Sequence, residues 1–145
     1  MTYDFKLSCT LPATPQAVYD AWLDSAAHGA MTGGRAKILK RVGGPYRGWD
    51  GYITGETLEL IPGKRIVQSW RTSEFAAHDP DSTIVVELEP TKGGAKLTLT
   101  HSGVPDGQTS YESGGWQDNY FAPMKAYFAS ERSKGKPAKN SAGKV

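Results

Sequence analysis

Cysteine is almost missing from this chain. Cys9 is the only one in 145 residues, which excludes an internal disulfide and any thiolate-rich zinc site. Long hydrophobic runs are missing too. No apolar stretch approaches the roughly 20 residues that cross a bilayer, so no membrane span is expected. The N-terminus does not run from basic to apolar as a secretory leader does, and with the single thiol this predicts a cytoplasmic protein. Histidine is scarce, and His28, His78 and His101 lack metal-ligand spacing. Neither Gly-x-Gly-x-x-Gly nor a Walker loop occurs; Gly33-Gly34 and Gly43-Gly44 read as turns. Gly-x-Ser-x-Gly is absent as well, since Ser102 stands in His-Ser-Gly without a glycine two residues before it. The sequence therefore assigns no catalytic residue, no metal and no cofactor.

Charge of either sign is modest. The formal net charge is +2 with a pI of 8.6. Residues 133–145 hold four lysines and no acid, and setting those four aside leaves residues 1–132 at −2. The basic pI belongs to the tail, so no nucleic-acid footprint is expected on the body. With almost no apolar content, residues 133–145 read as a solvated, disordered tail, loose attraction to nucleic acid or anionic lipid being the sharper alternative. The length suits one domain over residues 1–132.

What the chain does have is pattern. Tyr3, Phe5, Leu7, Cys9 and Leu11 alternate with polar residues, predicting a strand with one covered face and placing Cys9 there as a buried, inert thiol. Pro12 ends it. Thr14 offers an N-cap hydroxyl and Pro15 suits the first helical position, so a short amphipathic helix is expected over 15–24, followed by a helical turn from Ser25 to Met31 that Gly33-Gly34 stops. Strand patterns then follow at 35–42, 46–53, 56–61, 65–72, 83–89 and 95–101. Gly55 is expected to break the run between the second and third of these, and the last is expected to end at His101. Their short turns favour an antiparallel meander. Thr109-Ser-Tyr-Glu112 fits a capping box. Trp116, Tyr120, Met124 and Tyr127 then space a long helix to about Ser130, with a kink where Pro123 removes the bond to the Asn119 carbonyl.

Six pieces in this order carry a family resemblance: Leu11-Pro-Ala-Thr-Pro-Gln-Ala-Val-Tyr-Asp-Ala-Trp22, Gly51 through Pro62, Arg65-Ile-Val-Gln-Ser-Trp-Arg71, Val86-Glu-Leu-Glu-Pro90, Leu97-Thr-Leu-Thr-His-Ser-Gly103 and Gly115-Trp116. Over residues 3–130 the chain resembles the activator of heat-shock-protein-90 ATPase homologue-like family, within the SRPBCC helix-grip superfamily that also holds START domains and the birch pollen allergen Bet v 1. The resemblance implies an α+β helix-grip fold: a curved antiparallel sheet of six or seven strands around a long C-terminal helix, with two short helices after strand 1. It also implies an internal cavity. In the eukaryotic co-chaperones a separate N-terminal domain carries much of the chaperone stimulation, and nothing of it fits into this chain, so weak or absent stimulation is expected here.

Three functions are compatible with that fold: binding of a small apolar or amphipathic molecule in the cavity, a chaperone-interaction or stress-response module, and a polyketide-cyclase-like enzyme using the same cavity. Trp116 and Tyr120, one helical turn apart, are expected to line the cavity with Met124 behind them. Trp49, Trp70, Leu99 and His101 join that wall, and Met31 forms a lip. His101 shares a strand face with Leu97 and Leu99. It reads as a hydrogen-bonded histidine fixing the turn into the last helix, with ligand contact or acid–base work as the alternatives. Glu56, Glu87 and Arg71 read as solvated strand faces.

Overall fold

The computed structural model describes residues 2–105 and 115–135, and of residues 132–135 the backbone alone. The expected capping box at 109–112 and the chain from 136 onward lie outside the described residues. Strand β1 (Thr2–Leu11) alternates half-buried and exposed positions, as its sequence does. Cys9 is half-buried there, and burial pushes its thiol up to about 11, which leaves it protonated and unreactive at neutral pH. Pro15 opens α1 (Pro15–Leu23), where the Thr14 hydroxyl accepts the Ala17 N–H at 3.1 Å. Asp24 then serves two helices. Its N–H closes α1 on the Ala21 carbonyl, and its carboxylate accepts the Ala27 N–H at 2.8 Å to start α2 (Ser25–Thr32).

Six strands follow: β2 (Lys37–Ile38), β3 (Pro45–Gly48), β4 (Ile53–Ile61), β5 (Arg65–Thr72), β6 (Ser82–Thr91) and β7 (Gly94–Pro105). They form one sheet in the order β1-β7-β6-β5-β4-β3-β2, with every neighbouring pair antiparallel. Helix α3 (Ala122–Gly135) lies over the sheet beside α2 and β1. Leu11, Val18, Leu23, Ile66, Val86, Leu97, Leu99 and Met124 fill the space between sheet and helices and are fully or almost fully buried. Each such side chain stabilises the fold by about 1.5–3 kcal/mol relative to exposure. This is the helix-grip architecture that the order of elements implies.

The strand boundaries depart from the sequence reading where tertiary bonds outbid local pattern. The expected strand 35–42 shrinks to two residues, because Ser25 Oγ takes the Ile38 N–H at 2.8 Å and the following loop folds back onto β4. There Gly43 donates to the Thr57 carbonyl and Thr57 to the Gly44 carbonyl. Gly55 does not break β4. The Tyr46 ring and the Ser69 carbonyl occupy the place a Cβ would need, and the Tyr46 hydroxyl donates to that carbonyl at 2.6 Å. The expected strand 46–53 stops at Gly48, where a tight turn over Trp49–Gly51 begins. β7 continues four residues beyond His101, because an irregularity in β1 between Tyr3 and Phe5 lets Thr2 and Tyr3 pair with Pro105 and Val104. The last helix accommodates Pro123 through a π-turn, Gln117–Phe121, in which the Ala122 N–H reaches back five residues to the Gln117 carbonyl. Pro123 then falls in the first turn of α3, where a missing N–H costs little.

Candidate functional site

Four of the residues expected to line a cavity form one cluster of tilted and edge-on rings. The ring of Trp70 lies 4.7 Å from that of His101 and 5.6 Å from that of Trp116, and Trp116 lies 4.7 Å from Tyr120. Leu99 and Met124 are fully buried, and Met31 is buried on α2. These rings touch one another, so the middle of the grip is packed with side chains.

His101 is held at both nitrogens. Ser82 Oγ donates to the Trp70 carbonyl at 2.6 Å, which commits its proton, so at 2.9 Å from His101 Nε2 it can only accept. Trp116 donates its indole N–H to Nδ1 at 3.2 Å. The network therefore assigns the neutral tautomer with the proton on Nε2. Burial pushes the His101 pKa down to about 3, and a second ring proton would face the Trp116 donor. This is a histidine fixed in its neutral form, joining β6, β7 and the entry to α3.

A second buried polar chain lies under α1 and α2. His28 Nδ1 sits 2.9 Å from the Trp22 carbonyl and must donate to it, which leaves Nε2 with its lone pair, 3.5 Å from the Tyr120 hydroxyl. Burial lowers the His28 pKa, partly offset by that backbone bond, and raises the Tyr120 pKa. Trp22 donates to Gln68 Oε1 at 3.1 Å, and Gln68 donates to Thr57 Oγ1 at 3.2 Å. Among the described residues every buried side-chain polar atom has a partner.

Trp49, the eighth expected residue, is only half-buried and stands in a strained turn. Its φ is 51° and that of Asp50 is 59°. A left-handed tryptophan is an outlier, and such residues cost about 1–3 kcal/mol each unless their surroundings hold them. Here the Asp50 N–H bonds the Arg35 carbonyl at 2.9 Å, and the indole packs on the bare Cα of Gly34. A Cβ on Gly34 would come within 2.7 Å of the indole ring. Trp49 offsets part of the rise that burial imposes on the Tyr120 hydroxyl.

Open space lies elsewhere. A cleft of about 1370 Å³ runs between the α1–α2 elbow, the β6–β7 turn and α3. Its walls are Ala13, Ala17, Leu23, Ile38, Tyr127 and Phe128, and its rim carries Asp20, Asp24 and Glu131 against Lys40. Lys40 stands 3.6 Å from Asp20. None of the eight residues expected from sequence lines this cleft. Its alanines carried no signal in the sequence, since they look like ordinary helix formers. Arg71 also differs from its expected solvated role. Its guanidinium donates to the carbonyls of Ala76 and Asp79, pairs with Asp81 at 3.0 Å and lies over the Phe75 ring, so it organises the whole β5–β6 loop. Among the described residues no group of three or more metal-ligating side chains comes together, and no helix is long and apolar enough to cross a membrane.

Comparison with known proteins places this geometry. A family model described as Activator of Hsp90 ATPase homolog 1-like protein matches residues 12–129. The human activator of 90 kDa heat shock protein ATPase homolog 1 is 27% identical over 127 residues, which make up 88% of this chain and 37% of that protein. An uncharacterized protein of Schizosaccharomyces pombe is 28% identical over 128 residues, 88% of this chain and 38% of that one. The chain thus spans little more than a third of the length of these curated relatives. Among solved structures, an HSP90 activator from Plasmodium falciparum superposes with a TM-score of 0.80 at 24% identity, covering 88% of this chain and 96% of that one. A protein from Chromobacterium violaceum superposes with a TM-score of 0.71 at 29% identity, covering 87% and 97%.

Proposed function

This chain belongs to the activator of Hsp90 ATPase homolog 1-like family, and from that premise we propose that it is a binding module whose open cleft takes a small apolar or amphipathic molecule. The observation that carries the proposal is the cleft between the α1–α2 elbow and α3, with its apolar walls and charged rim. Concave apolar sites with a few polar groups are where small ligands bind. The rim holds three acids and one base, so the preferred head group is neutral or cationic and an anionic one is disfavoured. Titration with octan-1-ol, followed by backbone amide NMR, tests this reading. Shifts gathered on Ala17, Leu23, Ala27, Ile38, Tyr127 and Phe128 support it, and their absence up to the solubility limit contradicts it.

A second reading is a chaperone interaction. It is favoured by the curated relatives named as activators of the 90 kDa heat shock protein ATPase, which align with 88% of this chain. A severalfold rise in the ATPase rate of the source organism's heat-shock protein 90 on adding this protein would support that reading. An unchanged rate would leave the cleft reading alone.

A further inference from the structure

Cations and exposed aliphatic side chains gather at one corner of the sheet. Residues 35–47 carry Arg35, Lys37, Lys40, Arg41 and Arg47 and no acid. That segment is +5, and because residues 1–132 sum to −2, the remainder of them is −7. At its flanks Arg35 pairs with Asp50 at 2.8 Å and Lys40 with Asp20 at 3.6 Å. Lys37, Arg41 and Arg47 have no ion pair among the described residues. Lys37 stands directly opposite Arg47 in the β2–β3 ladder, and like charges so placed cost stability unless an anion joins them. Glu56, opposite Pro45 on β4, brings one acid to the corner against these three cations.

The aliphatic side chains collect in the same place. Leu39, Val42, Leu58 and Ile61 are the large apolar residues left exposed among the described residues. Three of those four meet here. Leu39 and Val42 stand on the loop between β2 and β3, and that loop is tied to Thr57, the neighbour of Leu58, through Gly43 and Gly44. Leu58 falls in the irregularity of β4 between Thr57 and Glu59 and has no Cα partner on β5, a device that re-aims a side chain. The loop is preformed. Arg41 donates to the Leu39 carbonyl and Gly44 to the Arg41 carbonyl, so tightly that a Cβ on Gly44 would come within 2.7 Å of the Leu39 oxygen.

We propose that this corner is a docking face for the surface of an anionic phospholipid bilayer. Val42, 59% exposed, and Leu39, 41% exposed, enter the boundary between head groups and acyl chains, while Lys37, Arg41 and Arg47 lie among the phosphates. A bilayer offers an anionic layer with an apolar one directly beneath it, and basic side chains mixed with aliphatic ones match that order. A nucleic acid would leave Leu39 and Val42 in water, and the aromatic ring of β3, Tyr46, is buried rather than offered to a base. The opposite sign of the remaining body turns the cations toward the membrane during approach. Ile38, between Lys37 and Leu39, lines the α1–α3 cleft, so docking sets the cleft beside the bilayer. Lys37, Leu39, Val42 and Arg47 do not line it, so the docking face stands or falls apart from the cleft reading.

Vesicle flotation with the full chain at physiological ionic strength tests this. The wild type is expected to partition at least tenfold more strongly onto vesicles of phosphatidylcholine and phosphatidylglycerol in equal parts than onto phosphatidylcholine alone. Two double variants separate the parts of the face, and all four positions are exposed, so both proteins are expected to melt like the wild type. Lys37→Ala with Arg47→Ala is expected to weaken binding to the mixed vesicles at least tenfold. Leu39→Ser with Val42→Ser is expected to do the same at unchanged charge, which a purely electrostatic attraction would not show. Lys64→Ala with Lys96→Ala removes the same charge from exposed positions elsewhere and is expected to change binding less than threefold. No binding to the mixed vesicles overturns the proposal. So does equal weakening by the Lys64 and Lys96 pair, or binding that ignores the loss of Leu39 and Val42. Retention on polyuridylate RNA without vesicle binding would assign the corner to nucleic acid and overturn it as well.

Discussion

Trp116 donates its indole N–H to Nδ1 of His101 across 3.2 Å, and with Ser82 Oγ at 2.9 Å on the other nitrogen the ring has no room for a second proton. The residue that looked most like an acid–base candidate in the sequence is thereby a joint between strands β6 and β7 and the entry to α3. Its chemistry is expressed as stability.

The pH dependence follows from that. His101 titrates near 6.5 when unfolded and is pushed down to about 3 when folded. Between those values the unfolded chain binds the extra proton, so stability is complete above about pH 6.5 and is lost as pH falls toward 3. His28, also lowered by burial, acts in the same direction. From pH 7 to pH 5 the His101 contribution is a loss of about 2 kcal/mol. Urea unfolding at the two pH values measures it. His101→Gln is expected to be less stable at pH 7 and to show a smaller drop.

Trp116→Phe keeps most of the ring stack and removes the donor to His101. The expected cost is about 1–3 kcal/mol at pH 7, as for a buried acceptor left without its partner, and less at pH 5, because the freed Nδ1 can take a proton. Trp116→Ala adds a cavity and is expected to cost about 3–5 kcal/mol. Equal costs for Trp116→Phe at both pH values would show that the indole bond does not govern the ring.

Arg71 binds the β5–β6 loop through two carbonyls, the Asp81 carboxylate and the Phe75 ring. Arg71→Ala is expected to destabilise the protein by about 1–3 kcal/mol and to make the stretch 73–81 the first site of limited proteolysis. Arg71→Lys is expected to rescue little, because an ammonium cannot reach all of these acceptors in one plane. Mass mapping of the first cleavage products checks both.

These residues mark how far the sequence could be read. Alternating apolar positions in β1, β6 and β7 and the Thr14-Pro15 cap are local signals, and they gave the strands, the first helix and the grip architecture. Trp70, His101, Trp116 and Tyr120 were expected on one face, and they do come together there. Arg71 was missed because its partners are loop carbonyls, which have no sequence signature. His28 was missed because it meets Tyr120 only through the tertiary fold, 92 residues later. Trp49 was read as a strand residue because its aromatic ring fits a strand, whereas the packing against Gly34 and the Arg35 bond impose a left-handed turn. The cleft was invisible because its walls are the gaps that small side chains leave between helices.

Gly34→Ala tests whether that turn depends on the close approach of Trp49. The new Cβ would fall within 2.9 Å of the Trp49 Cα, so the turn must move. A fall in melting temperature of several degrees is expected, together with a red-shifted tryptophan emission as the indole loses cover; an unchanged spectrum would show that the turn is not packed on Gly34.

The cleft claim is tested most directly by the affinity for one eight-carbon tail with three heads. Octylamine, octan-1-ol and octanoate are titrated calorimetrically into the wild type and into Ala17→Phe, which fills the cleft at an exposed position on α1. The account predicts that the wild type binds the amine and the alcohol more tightly than the carboxylate, and that Ala17→Phe weakens all three at least tenfold while the protein stays folded. Binding that ignores the head group and survives Ala17→Phe, or no binding at all, would contradict it.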